Sequence, residues 1–305
     1  MTAPAAVETV AVVGTGVIGA SWAALFLSHG LDVVATDPAP GAEDRLRADV
    51  AAAGLDVRGR LTFAVDAREA VAGADFVQEN GPERLDVKHD LYAALDEAAR
   101  PDVVLASSSS GLLPSAIATA CAAHPERVLV GHPFNPPHLL PLVEVVPGQR
   151  TTDVALDAAM AFYTALGKKP IRLRHELPGH VANRLQAALW REAYSLVDRG
   201  VATVADIDTA IANGPGLRWA LLGPFTVQHL SGGPGGIAHV LEHLGPPTEA
   251  WWRDMGDPSL TPELAAKIVD GVDAALQGTD EAELVARRDA ALRALLASKT
   301  AHRLQ

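Results

Sequence analysis

A chain of 305 residues, 49 % hydrophobic and 20 % charged, has the make-up of a globular protein with one large domain or two smaller ones. Its net charge of −12 repels polyanions, which excludes nucleic acid as a partner. Cys121 is the only cysteine, so neither an intrachain disulfide nor a cysteine-cluster metal site can form, and a reducing, cytoplasmic compartment is expected. No metal site is expected, and no secretory leader, membrane-spanning segment or membrane partner either, since the start has no basic n-region and no apolar run is long enough to cross a bilayer.

The first half alternates strand and helix. "TVAVVGTG" (9–16) is a β-branched run ending in glycine, and "VIGASWAALFLSHG" (17–30) places apolar residues at helical spacing. Further strands are predicted at 31–37, 61–66, 75–80, 103–109 and 127–134, with helical stretches between them, as in "RLDVKHDLYAALDEAA" (84–99). Such alternation predicts an α/β domain with a Rossmann-type, doubly wound and mostly parallel sheet covered on both faces. From Pro178 onward only helices are predicted. The expected domains are therefore 1–177, built on the sheet, and an all-α domain at 178–305.

Gly14, Gly16 and Gly19 form G-x-G-x-x-G between the first strand and the first helix. The first glycine allows a tight turn, the second lets the backbone approach a pyrophosphate, and the third lets helix and sheet pack closely. The backbone amides of Val17 and Ile18 then face the phosphates at the helix start. Asp37 ends the second strand, where a carboxylate accepts hydrogen bonds from a ribose 2′-hydroxyl and repels a 2′-phosphate. This pattern predicts an NAD site.

Two more signals fall at the carboxyl edge of the sheet, where open parallel sheets bind ligands. "SSSSGL" (107–112) reads as a loop offering hydroxyls to a ligand. In "GHPFNPPHLLPLVEVVPG" (131–148) the Asn135-Pro136-Pro137 turn separates two strand-like runs, so His132 and Glu144 are expected to come back together. A carboxylate on one imidazole nitrogen fixes the tautomer and leaves the other as a general base.

With these motifs on view, the chain resembles the L-3-hydroxyacyl-CoA dehydrogenase superfamily over nearly its whole length. "SSSSGL" stands where that family has Asn-Thr-Ser-Ser-Leu, "HPFNPPHLLPLVEVV" where it has His-Phe-Phe-Asn-Pro ending in Leu-Val-Glu, and "PGHVANRL" matches its Pro-Gly-Phe-x-x-Asn-Arg. The resemblance implies an NAD-dependent dehydrogenase with His132 as catalytic histidine, Glu144 as its partner, and Ser110 and Asn183 at the reacting oxygen. It implies that Glu83, Lys88 and Asn135 line the nicotinamide half of the cofactor site. It also implies a homodimer formed through the helical domain.

The chain departs from the acyl-CoA enzymes in the interval 38–60, which is short and has no lysine where those enzymes carry a lysine-rich hairpin that contacts CoA. "GPGLRWALLGPF" (214–225), with Arg218 and Trp219, is similar to the branch that holds L-gulonate and L-carnitine 3-dehydrogenases. The expected substrate is thus a small L-3-hydroxy acid free of CoA, with Arg218 pairing its carboxylate. Between the two acids the reading stays open. Phe134, Trp190, Trp219, Trp251 and Trp252 are candidates to hold a trimethylammonium, and the serine run with His138 is a candidate to hold a polyol. The alternatives are an L-3-hydroxyacyl-CoA dehydrogenase or a non-catalytic, crystallin-like structural protein. A β-hydroxyacid dehydrogenase is disfavoured, because "GHVANRLQAALWREA" lacks the lysine which that family uses.

Overall fold

The computed structural model of the protein describes residues 7–304. They fall into two compact units, Met1–Arg184 and Leu185–Gln305, so the division lies inside a helix somewhat later than the expected 177.

The first unit is built on an eight-stranded sheet in the order β3-β2-β1-β4-β5-β6-β7-β8. The strands are β1 (Thr9–Val13), β2 (Asp32–Thr36), β3 (Leu61–Phe63), β4 (Phe76–Glu79), β5 (Val104–Ser107), β6 (Val128–Pro133), β7 (Leu142–Pro147) and β8 (Lys169–Arg172). All neighbours pair in parallel except β6 and β7, so β7 and β8 run against the first six. The helices of this unit are α1 (Val17–Ser28), α2 (Ala42–Ala52), α3 (Ala67–Ala72), α4 (Leu85–Ala98), α5 (Pro114–Ile117) and α6 (Asp153–Ala165).

Strand periodicity divides the core in two. Val10 and Val12 of β1 join Trp22 and Phe26 of α1, Leu46 of α2 and Phe162 of α6 in one cluster. Ala11 and Val13 point the other way, into a cluster with Val71 of α3, Tyr92 and Leu95 of α4 and Ile117 of α5. Burial on both faces is why "TVAVV" reads as an unbroken apolar run rather than an alternating one. Ring stacking adds to the first cluster, with Phe76 and Phe162 centroids 4.1 Å apart and those of Trp22 and Phe26 5.3 Å apart. Such pairs contribute about 0.5–1.5 kcal/mol beyond their burial.

The predicted strands extend one to three residues too far at their carboxyl ends. β1 stops at Val13 and β5 at Ser107. The glycines and serines beyond leave the ladder because their backbone and hydroxyl groups bond to neighbouring loops instead. Chain order reverses at β1, which pairs with both β2 and β4, and this switch point opens a crevice beyond the strand ends. Residues 14–19, 37, 80–83, 108–112 and the end of β6 all lie on that edge.

The second unit contains α7 (Ala182–Asp198, which begins just before the division), α8 (Val204–Asn213), α9 (Pro215–Leu221), α10 (Pro224–Ser231), α11 (Gly236–Asp254), α12 (Pro262–Ala275) and α13 (Glu281–Ala301). Their starts are well signalled. Thr203 and Asp206 form a capping box at α8, and Thr261 and Asp280 cap α12 and α13. Val227 and Leu264 are the only buried apolar side chains among the described residues of this unit. Trp190, Trp219, Phe225, Trp251 and Trp252 are exposed. Among the described residues no helix is long and apolar enough to cross a membrane.

One packing constraint bears directly on β6. A Cβ at Gly131 would stand 2.0 Å from the Tyr163 hydroxyl, which donates to Gln78 Oε1 at 2.6 Å. Gly131→Ala is therefore expected to cost about 1–3 kcal/mol, as overpacking usually does. The urea midpoint measures the loss, and adding Tyr163→Phe is expected to recover part of it.

Candidate functional site

The glycine loop is built as a dinucleotide requires. Gly14 has φ of 87°, and a Cβ there would lie 2.8 Å from the Asn80 carbonyl carbon; at Gly19 it would lie 1.9 Å from Gly14 O. Gly16 is different, since nothing stands within 4 Å of a Cβ built on it. The first and third positions are closed by protein and the middle one is open to a ligand. Gly16 gives α1 no side-chain cap, so the helix start presents the Val17 and Ile18 amides at its positive end. Asp37 ties the loop to β2, accepting from Thr15 N at 2.8 Å and from Ala39 N at 2.9 Å. These residues fit a bound dinucleotide with a free ribose 2′-hydroxyl.

Beyond β4, carboxylates organise the loops. Glu79, fully buried, accepts from Lys88 Nζ at 2.7 and 2.8 Å and from Ser107 Oγ at 2.8 Å. Lys88 also donates to Gly81 O at 3.1 Å and is 1 % exposed. Its three protons are taken, so it supports the 79–83 loop from beneath and has none left for a ligand. Glu83 Oε1 accepts from Ser109 Oγ at 2.6 Å, Gly111 N at 2.7 Å and Leu112 N at 3.1 Å. Burial pushes the Glu83 carboxyl up, but these donors and the Lys88 charge outweigh it and hold it below its ordinary range.

The serine run differs from its expectation. Ser107 bonds Glu79, Ser108 donates to Asn80 Oδ1 at 2.7 Å while accepting from Gln78 and Trp22, and Ser109 bonds Glu83. Three of the four hydroxyls are structural because the strand end is buried. Ser110 alone is exposed.

His132 and Glu144 are directly opposite in the antiparallel β6–β7 register. His132 Nδ1 lies 3.0 Å from Glu144 Oε2, and His132 Nε2 lies 3.2 Å from Ser110 Oγ. The other carboxylate oxygen, Oε1, accepts from Val181 N at 2.9 Å and Ala182 N at 3.0 Å. Burial raises the Glu144 carboxyl, yet His132 and the two amides together hold it below its ordinary range. An ionised carboxylate only accepts, so Nδ1 carries the imidazole proton. Nε2 is left with a lone pair, to which the Ser110 hydroxyl donates. This is the arrangement of a general base in the correct tautomer.

The turn between the two strands is held from below. Its Asn135–Pro136 peptide is cis. Lys168 donates to the carbonyl oxygens of Pro137 and, at 2.6 Å, Leu140, with its ammonium 5.1 Å from the Trp22 ring centroid. Burial lowers the Lys168 ammonium to about 7. His138 bonds Ser21 Oγ through Nδ1 at 2.8 Å. Phe134 sets its ring edge-on to His132 at 5.6 Å.

Asn183 lies in the first turn of α7, one residue past the Ala182 amide that holds Glu144, and is partly buried. Arg218 and Trp219 are on α9 in the second unit. Arg218 lines a cavity of about 230 Å³ with Leu221, Leu222, Val227, Leu230 and Ser231, and forms no ion pair among the described residues. Trp219 is exposed.

His180 was not singled out by sequence reasoning. It is fully buried, has φ of 49°, and its ring centroid lies 5.2 Å from that of His132. Its Nε2 donates to Ser109 O at 3.0 Å, while Nδ1 has no partner among the described residues. A left-handed backbone at a non-glycine residue marks a constrained site. The signal was available, since histidine stands here in place of the family's phenylalanine. Lys168 gave no such signal, because one lysine in "GKKP" looks like any surface lysine.

Comparison with known proteins agrees with this architecture. Residues 9–176 match the family model for the 3-hydroxyacyl-CoA dehydrogenase NAD-binding domain, and residues 179–266 match that for the 3-hydroxyacyl-CoA dehydrogenase C-terminal domain. Among curated proteins, the chain is 51 % identical to an L-carnitine dehydrogenase of Streptomyces coelicolor, covering 95 % of this chain and 94 % of that one. It is 50 % identical to an L-carnitine dehydrogenase of Pseudomonas aeruginosa, covering 95 % and 93 %. Among solved structures, it is similar to FHMPC 5-dehydrogenase, an NAD+-dependent dismutase, with a TM-score of 0.83, 29 % identity and coverage of 97 % and 99 %. It also resembles 3-hydroxybutyryl-CoA dehydrogenase of Escherichia coli, with a TM-score of 0.62, 32 % identity and coverage of 81 % and 53 %.

The depressed carboxyls make stability depend on pH in a definite direction. Glu83 and Glu144 protonate at lower pH when folded than their ordinary value of 4.5, so the unfolded chain takes up these protons first. Their contribution is complete above that value and is lost as the pH falls through the folded values. The urea midpoint is expected to drop as the pH falls below about 4.5, and Glu83→Gln is expected to flatten that fall.

Proposed function

This chain belongs to the 3-hydroxyacyl-CoA dehydrogenase family, and we propose that within it the protein is an NAD-dependent L-carnitine 3-dehydrogenase. It oxidises the 3-hydroxyl of a small L-3-hydroxy acid that carries no CoA, reversibly, to the 3-keto acid. The observation that carries the reaction is the hydrogen-bonded series from Ser110 through His132 to Glu144. The choice of substrate is supported by the relatives at 50–51 % identity and by the short, lysine-free interval 38–60.

NAD, bound at the glycine loop, supplies the acceptor for the hydride that leaves the carbinol carbon. His132 Nε2 takes the hydroxyl proton as that hydride departs. Glu144 keeps Nδ1 protonated and offsets the imidazolium charge, while the Val181 and Ala182 amides keep Glu144 ionised. Ser110, displaced from Nε2 by the substrate oxygen, donates a hydrogen bond to it, and Asn183 is assigned to the same oxygen. Glu83 and Asn135 shape the nicotinamide side, and Lys88 contributes through the loop it supports. The Phe134 ring provides an aromatic surface for the trimethylammonium close to the base. Arg218 pairs with the substrate carboxylate.

A polyol acid such as gulonate would need several hydroxyl partners. Ser107, Ser108 and Ser109 already have theirs, which favours carnitine. The segment 178–305 is, in this reading, the substrate-binding and dimerising part. Its tryptophans and Phe225 are large apolar side chains left exposed, which a second copy of the chain would cover.

His132→Ala is expected to lower kcat at least about a hundredfold while NADH binding, followed by fluorescence, is retained. Near-normal turnover in that variant would remove His132 from the chemistry. An NAD-reduction panel of L-carnitine, L-gulonate, 3-hydroxybutyrate and 3-hydroxybutyryl-CoA is expected to favour carnitine clearly, and a preference for the CoA ester would overturn the substrate reading. In the same panel Arg218→Lys is expected to raise the carnitine KM about tenfold, the scale of one charge-assisted hydrogen bond.

A further inference from the structure

A single cysteine leaves no cysteine-cluster metal site, but two histidines and a carboxylate stand close together on one helix. α11 carries "HVLEH" at 239–243. Residues at i, i+3 and i+4 share one helical face, so His239, Glu242 and His243 project together. One ligating atom from each lies within 4.8 Å of the other two, and the two imidazole centroids are 4.0 Å apart. We propose that His239, Glu242 and His243 form a surface site for a divalent transition cation, of which zinc and nickel are the fitting class.

Three features support this beyond proximity. First, His243 Nδ1 lies 3.0 Å from the His239 carbonyl oxygen. A carbonyl only accepts, so Nδ1 is protonated and Nε2 holds the lone pair. Histidines that ligate metals in proteins use this outer hydrogen bond to fix the ligating nitrogen. Second, Glu242 forms no hydrogen bond or ion pair among the described residues, so its carboxylate is not committed elsewhere. Third, the three side chains are exposed and can rotate. Exposed side chains that rotate can settle their donor atoms at the metal–ligand distances of about 2.0–2.2 Å that such an ion requires. Three protein ligands leave a fourth position to water.

None of the three residues is among those assigned to the dehydrogenase reaction. The cluster also lies away from the apolar side of its own helix. At 3.6 residues per turn, Leu241 and Leu244 point about 150° away from the centre of the cluster. A net charge of −12 favours cations over anions near this surface. Two imidazoles and one carboxylate suit zinc, nickel and copper, whereas magnesium prefers oxygen ligands throughout.

The test uses the full chain without an affinity tag, stripped with EDTA and dialysed, then titrated by calorimetry with zinc, nickel or magnesium chloride. One equivalent of zinc or nickel per chain is expected, with no magnesium binding. Affinity is expected to fall at least about tenfold in His243→Ala and in His239→Ala, each shown by circular dichroism to fold, and to weaken from pH 7.5 to pH 5.5 as protons compete for the imidazoles. Saturating zinc is expected to raise the melting temperature of the wild type and not that of His243→Ala. Absence of one-to-one binding, or binding in both variants as tight as in the wild type, would overturn the proposal.

Discussion

The site rests on one fully buried carboxylate. Glu144 has no water to solvate it, and an isolated ionised carboxylate in such a place would cost several kcal/mol or take up a proton. It avoids both because each of its oxygens is bonded, Oε2 to His132 and Oε1 to two consecutive backbone amides. Those amides come from residues 181 and 182, which begin the long helix after the sheet. The same contact therefore keeps the carboxylate charged, orients the imidazole and anchors the chain where the sheet ends. Losing one of the partners would leave the others unsatisfied.

A similar logic extends along the strand ends. Asp37, Glu79 and Glu83 all use their oxygens on backbone amides, serine hydroxyls or Lys88. These negative charges shape loops, while open backbone at Gly16 and one exposed hydroxyl at Ser110 remain available. Removing one partner of the buried Glu79–Lys88 pair would expose the other to a penalty of about 3–5 kcal/mol. A crevice held in this way is already in shape before a ligand enters, which reduces the ordering cost of binding.

Much of this was legible in the sequence because it depends on periodicity and spacing. The parallel strands appear as apolar runs, the glycines as a turn between strand and helix, and His132 and Glu144 as two ends of a proline turn. What escaped reading depends on burial, which spacing does not encode. Ser107, Ser108 and Ser109 looked like Ser110, and only depth separates them. Lys88 looked like a ligand-facing cation and is instead enclosed. Lys168 and His180 are ordinary letters whose importance comes from the carbonyl groups they reach. The compact division falls inside the helix starting at Ala182 because the first turn of that helix makes its contacts with the sheet unit.

The single reversed pairing in the sheet restricts how this family of chains can vary. Side chains alternate between faces along a strand, so a register slip of one residue between β6 and β7 would bring Val143 or Val145 opposite His132 in place of Glu144. Both valines belong to the apolar core on the other side, so the slip would also turn a carboxylate into oil. Any slip of that register separates His132 from Glu144, whereas the interval 38–60 carries no such pair and its length is free to change.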